Sequence, residues 1–191
     1  MKKNSKNIIK NIGKIVENAC KKDTNAYGNG SYSHHILTVV KYSKMLARKL
    51  KADMEIVEIA ALLHDYASVV NKKWKENHHI YGSRLAEEVL KKYNYPKDKI
   101  EQVKHCIVSH RASKKIPRET IEAKIVASAD AMAHFDKFNS LLYFAFTKGG
   151  MGIDEGTKWV LGKLERDWKK LMPEAKEMVR GKYEGIKIAL S

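Results

Sequence analysis

The chain reads as an all-α protein. Apolar residues recur at three- and four-residue spacing along most of its 191 residues, alternating runs are nearly absent, and only three prolines force breaks. Ile8, Ile9, Ile12, Ile15, Val16 and Ala19 give a first amphipathic helix, followed by a glycine-bearing loop, YGNGSY, at 27–32. Residues 33–50 carry Ile36, Val39, Val40, Leu46, Ala47 and Leu50 on one face. Asp53 has the character of an N-cap for 54–64, a short and almost wholly apolar helix that belongs in the core. A polar, lysine-rich loop is expected at 68–77, and a helix at 79–93. Pro96 suits the first turn of a helix over 97–111, and Pro117 falls just before one running from 118 to about 136. An apolar segment at 141–146, a break at Gly149-Gly150 and amphipathic basic helices at 154–171 and 174–190 complete the chain. The organisation is a helical core over 1–137 and a helical extension over 138–191, packed on the same domain.

Length allows one domain with a substantial core. Lys and Arg number 37 against 22 Asp and Glu, a formal charge of +15 that favours polyanionic partners, although a solvated lysine-rich surface accounts for much of it. Cys20 and Cys106 are isolated, which argues against a disulfide framework or a Cys-based zinc site. The basic N-terminus lacks a continuous apolar stretch and no segment approaches a membrane span, so the expected location is cytoplasmic, without membrane association.

Four residues interrupt helices that otherwise read as buried: His35, the adjacent pair His64-Asp65, and Asp130. Helix interiors reject polar groups unless something compensates, and one cation compensates all four. His35 lies a turn before Val39, on the buried side. Neighbours on a helix differ by about 100° in direction, so His64 and Asp65 converge only where the helix ends, and the run IVEIAALL does stop there. Asp130 sits beside a stripe of Ile125, Val126, Ala129 and Ala133, where an unpaired carboxylate is costly. Two imidazoles and two carboxylates suit Mn, Fe, Co, Ni or Zn more than Mg. A lone His-Asp dipeptide is a weak signal, and a lone buried histidine is more often a satisfied core residue.

The ordered set, His, then His-Asp, then Asp in successive helices, resembles the HD superfamily of metal-dependent phosphohydrolases. HHILTVVKYSKMLA, EIAALLHD, HHIYGSRLAEEVL, VKHCIVSHRAS and TIEAKIVASADAM are similar to consecutive segments of small bacterial and archaeal HD hydrolases that act on nucleotides. The flanks favour His35 over His34 and His78 over His79. The resemblance implies an HD-type helical bundle with an added N-terminal helix and a C-terminal helical extension. It also implies a divalent ion on His35, His64, Asp65 and Asp130. Two departures stand out: no carboxylate follows Asp65 before Glu76, and SADAMAHF lacks the basic residue that often follows the aspartate.

The implied reaction is hydrolysis of a phosphate ester or anhydride, most plainly of a nucleotide. Asp65 is expected to orient water or bridge a second ion. His78, His105 and His110 are candidates for ligating that second ion or for contacting phosphate and protonating the leaving group, while a single tightly bound ion is the favoured count. Asp65, His78 and His110 form the expected catalytic set. His105, Arg111, Lys114 and Lys115 are the expected phosphate contacts, with Arg111 foremost because a guanidinium grips phosphate bidentately; Arg118, Lys72, Lys73 and Lys75 are further candidates for the mouth. The competing class is a catalytically weak, metal-stabilised basic module that binds nucleic acid or an acidic partner. Against it, base-stacking aromatics are not interleaved with the basic runs. The C-terminal helices are open to three roles: a homodimer contact, a lid or a packing layer.

Overall fold

The computed structural model describes residues 2–111, 114 and 116–190, and Lys115 lies outside them. Among the described residues every regular element is helical. Ten α-helices follow in order: α1 (Lys2–Cys20), α2 (Leu37–Leu50), α3 (Met54–Leu63), α4 (Tyr66–Val70), α5 (His78–Lys91), α6 (Lys97–Ser109), α7 (Ile121–Asp136), α8 (Phe138–Tyr143), α9 (Ile153–Lys170) and α10 (Pro173–Leu190). None is long and apolar enough to cross a membrane.

α7 is the axis of the fold. Its sequence IEAKIVASADAMAHFD is rich in Ala and Ser, whose small side chains let neighbours approach closely, and the helix is buried almost all round. It packs against α2, α3, α6, α8, α9 and α10. The segment after residue 137 therefore rests on the same helix that carries Asp130.

α3 begins where its sequence says it should. The Asp53 carboxylate accepts the backbone N–H groups of Glu55 and Ile56 at 2.9 and 3.2 Å, satisfying two of the donors that a helix start leaves without partners. Ile56, Val57, Ile59, Ala60, Ala61 and Leu63 are fully buried, so hydrophobic burial holds this helix in the core. α7 starts at Ile121, three residues later than expected. Thr120, in extended backbone, accepts the Ala123 N–H with its hydroxyl at 3.1 Å and sets that start.

Residues 68–77 form no simple loop. The chain turns at His64 and Asp65 and resumes as α4, followed by a 3₁₀-helix, Lys72–Asn77. Val69 and Ala67 supply a buried face that packs on α1 and α5, and the Asn71 side chain accepts the Lys73 N–H at 3.0 Å. Polar composition concealed these short helical pieces. His35 lies on a π-helical turn, Tyr32–Ile36, that leads into α2. Such turns widen a helix locally and recur at functional sites.

Candidate metal centre

Asp65 is the pivot. Its backbone sits at φ −105°, ψ 6°, between the helical and extended regions, and this break between α3 and α4 lets two adjacent residues aim at one place. Its two oxygens face different partners. Oδ2 lies 3.7 Å from His35 Nε2 and 3.5 Å from His64 Nε2, and Oδ1 lies 3.3 Å from His78 Nε2. Asp130 enters from α7, with Oδ1 at 3.4 Å from His35 Nε2 and 3.9 Å from His64 Nε2, while Lys170 of α9 holds Oδ2 at 2.8 Å.

Two clusters therefore share one carboxylate: His35, His64, Asp65 and Asp130 on one side, and Asp65, His78 and His110 on the other. The backbone fixes the tautomers of three of these histidines. His64 Nδ1 donates to the Ala61 carbonyl at 2.8 Å, His78 Nδ1 to Lys75 at 2.6 Å, and His110 Nδ1 to Ile107 at 2.6 Å. With Nδ1 protonated, each neutral ring has a bare lone pair at Nε2. His78 Nε2 and His110 Nε2 nevertheless lie 3.2 Å apart, and His64 Nε2 lies 3.1 Å from His35 Nε2. Two bare lone pairs at the His78–His110 distance repel unless a cation stands between them, whereas His35 Nε2 is free to donate a proton to His64 Nε2 in the metal-free protein. The donor set, imidazole nitrogens and carboxylate oxygens with the second nitrogens of His64, His78 and His110 locked to carbonyls, fits a first-row divalent ion on each side.

The electrostatics agree with neutral His64 and His110 rings and ionised acids. Burial, reinforced by the neighbouring histidines, pushes His110 down to about 3, and burial also lowers His64. Burial alone raises Asp65, but His64, His78 and His35 overcome it and hold the carboxyl well below the usual range. Asp130 behaves the same way, with Lys170 the largest opposing influence. Ligands that are already deprotonated take a metal without first releasing a proton.

His78 reaches the centre because α5 packs closely there. A Cβ at Gly82, one turn later, would meet the Ile107 side chain at 3.3 Å and the His64 carbonyl at 3.6 Å. His79 points into the protein, with Nδ1 buried and lacking a hydrogen-bond partner. His34 is exposed at the edge of the cleft.

The centre opens into a cleft of about 1000 Å³. Arg111 and Lys75 line it, as do Lys22, Lys148, Lys163, Arg166 and Lys170. Tyr27, Tyr143, Phe144 and Trp159 form an aromatic wall in which Phe144 packs 6.4 Å from Tyr27 and 6.1 Å from Trp159, centroid to centroid. Lys75 Nζ lies 4.4 Å above the Phe144 ring. Basic and aromatic side chains that are separate in sequence are interleaved here in space.

Several residues expected at the mouth stand elsewhere. His105 is absent from the cleft lining, and its Nε2 accepts the Glu119 backbone N–H at 3.1 Å. Lys114 is exposed and also outside the lining, and Arg118 Nε caps the end of α6 by donating to the Ser109 carbonyl at 3.1 Å. Lys72 and Lys73 are exposed and do not line the cleft. Arg111 lines it, though its guanidinium is engaged by the backbone carbonyl and carboxylate of Glu76. Glu76, the first acid after Asp65, is turned to solvent. Asp167 of α9, beside His134 of α7, does line the cleft, as does Asp23.

Sequence reasoning missed His134, Asp167 and Lys170. His134 follows Asp130 by four residues and so shares its face of α7. Asp167 occupies an apolar position in the series Val160, Leu164, Leu171, where a carboxylate is anomalous.

Comparisons with known proteins agree with this architecture. The HD domain family model matches residues 32–134. Ribonuclease Y of Fusobacterium nucleatum subsp. nucleatum is 29% identical over 126 residues, covering 66% of this chain and 22% of that protein. Ribonuclease Y of Petrotoga mobilis is 30% identical over 126 residues, covering 66% and 21%. The chain thus spans about a fifth of the length of these curated relatives. Among solved structures, a predicted HD superfamily hydrolase from an uncultured Thermotogales bacterium superposes with a TM-score of 0.67 at 20% identity, covering 95% of this chain and 88% of that one. Bacillus subtilis YpgQ in complex with ADP gives 0.66 at 21% identity, covering 92% and 90%. With more than half of its length matched by the family model, and with the fold and the His-Asp centre in place, this chain belongs to the HD domain family.

Proposed function

We propose that the chain is a metal-dependent phosphohydrolase acting on nucleotides or nucleotide ends, with two divalent ions sharing Asp65. The observation that carries this reading is the division of the Asp65 carboxylate between two imidazole groups at the floor of a basic cleft. Two ions are favoured over the single ion expected from sequence, because His78 and His110 turn bare lone pairs toward each other on one side, His64 presents its own on the other, and Asp65 offers one oxygen to each. Ions held there by these residues would lower the pKa of a water and polarise a phosphoryl oxygen.

The remaining work falls to the chain. Lys170 neutralises one oxygen of Asp130 and leaves the other for the centre. His78 and His110 act as ligands rather than as leaving-group acids, since their Nδ1 protons are committed to carbonyls and their Nε2 atoms face each other beside Asp65. Lys75, Lys148, Lys163 and Arg166 attract the substrate's phosphates. The Tyr27, Phe144 and Trp159 wall suits a nucleobase by stacking. That the relatives include proteins named Ribonuclease Y, and that one structural neighbour was solved with ADP, supports a nucleotide or RNA phosphate as substrate.

The test is a panel of nucleoside mono-, di- and triphosphates and short RNA and DNA strands, assayed with Mn²⁺, Co²⁺, Ni²⁺, Zn²⁺ and Mg²⁺ for phosphate, pyrophosphate and released nucleotide. Metal-dependent turnover that Asp65→Ala abolishes is the expected result. Salt-sensitive binding of nucleic acid without turnover of any member would instead favour the binding-module reading.

A further inference from the structure

His134 is not part of the four-residue set that the sequence singles out, yet its ring stands against that set. It lies nearly parallel to the His35 ring, 14° between planes and 5.0 Å between centroids. Its Nε2 is 3.9 Å from Asp130 Oδ1, the oxygen that also faces His35 and His64. His35, Asp130 and His134 offer one donor each within 4.8 Å of one another. On the opposite side of the ring, Nδ1 lies 2.9 Å from Asp167 Oδ2, a close contact off the line of a well-formed hydrogen bond.

We propose that His134 is a further ligand to the ion held by His35, His64, Asp65 and Asp130, and that Asp167 is the positioning residue that turns its Nε2 toward them. This rests on the metal-centre reading above. Chemistry supports it on two counts. Lys170 occupies Asp130 Oδ2 and His78 faces Asp65 Oδ1, so each carboxylate presents one oxygen, and the set supplies four donors where octahedral first-row ions accept more. A carboxylate on the far nitrogen is also the usual support of a ligating imidazole, fixing its tautomer and orientation. Asp167, with a side chain only 2% exposed, lies on the buried stripe of α9, where a leucine would pack without the cost of burying a charge. Aiming His134 accounts for the acid at that position. The C-terminal segment then contributes to the centre itself, through the helix that brings Asp167.

The competing reading is a structural network in which Lys163, 3.3 Å from Asp167, and His134 merely tie α9 to α7. Equilibrium titration with Zn²⁺ alone separates the two when paired with melting of the metal-free proteins. His134→Ala and His134→Gln should weaken the tighter site by about tenfold to a hundredfold, and Asp167→Asn should shift it in the same direction. Lys163→Met breaks the network while leaving the acid and the imidazole, and removes a positive charge near the ion, so it should lower the melting temperature without weakening the Zn²⁺ affinity. Unchanged affinity in both His134 variants, or an equal loss in Lys163→Met, overturns the proposal. A check that needs no variant is the ring ¹⁵N spectrum of histidine-labelled wild type at one equivalent of Zn²⁺. Three imidazoles entering the zinc-bound range (His35, His64 and His134) is expected, and only two overturns the assignment. A wild type that binds no metal removes this inference together with the reading it rests on, whereas binding with His134 uninvolved removes this inference alone.

Discussion

Asp65 Oδ1 lies 3.3 Å from His78 Nε2, while the other oxygen of the same carboxylate faces His35 and His64. Residues from a π-helical turn, the α3–α4 break and α5 thereby meet on one acid. Removing His78 should empty only its own side: His78→Ala is expected to retain one tightly bound ion and lose the second. Elemental analysis after dialysis against a weak chelator measures this directly, and loss of both ions would show that the two sides are not separable.

Lys170 and Asp130 form a buried pair, the lysine side chain 4% exposed. Breaking such a pair by removing one partner costs about 3 kcal/mol or more, because the remaining charge is left uncompensated. Lys170→Met should therefore destabilise the metal-free protein by that order, and saturating metal should restore much of the loss by taking over Asp130. Denaturant unfolding with and without Mn²⁺ tests both halves.

Acid should unfold the metal-free protein early. His64, His110 and His134 have folded pKa values below the ordinary histidine value, each chiefly through burial, so the unfolded chain binds more protons once pH falls below about 6.5. Their contribution is fully present above that pH and is lost progressively toward the folded value, about 3 for His110. The lowered carboxylates Asp65 and Asp130 act in the same direction at lower pH, stabilising above the usual carboxylate value and ceasing to do so as pH falls through their folded values. Each imidazole that must stay neutral costs about 1.4 kcal/mol per pH unit in this window. Melting temperatures of chelator-treated protein from pH 7 to pH 4 should fall steadily; a flat profile would mean that these rings are protonated in the folded state.

Asp53 offers a control remote from the centre. Asp53→Ala removes the cap of α3 and one partner of Lys99, 3.2 Å away, and should cost about 1 kcal/mol of stability while leaving metal affinity unchanged. A large affinity loss would indicate that the register of α3, and with it His64, depends on this cap.

Much of this was legible in the sequence because it is local. The cap at Asp53, the apolar run into His64 and the small-residue stripe around Asp130 are short-range patterns with direct physical consequences. The helical identity of 66–77 was not legible, since five-residue helices owe their existence to packing against α1 and α5 rather than to periodicity. Arg118 and Lys114 follow His110 closely in sequence, but the end of α6 takes Arg118 as a cap and leaves Lys114 in solvent. The aromatic wall draws on residues 27, 144 and 159, and Lys170 reaches Asp130 across 40 positions. Such juxtapositions are products of the tertiary fold.

The most direct measurement is the metal stoichiometry of wild type, His78→Ala and Asp65→Ala under identical loading. Two ions, one ion and no tightly bound ion, respectively, is the result expected if Asp65 is shared. A single ion in the wild type, or two retained by Asp65→Ala, would contradict it.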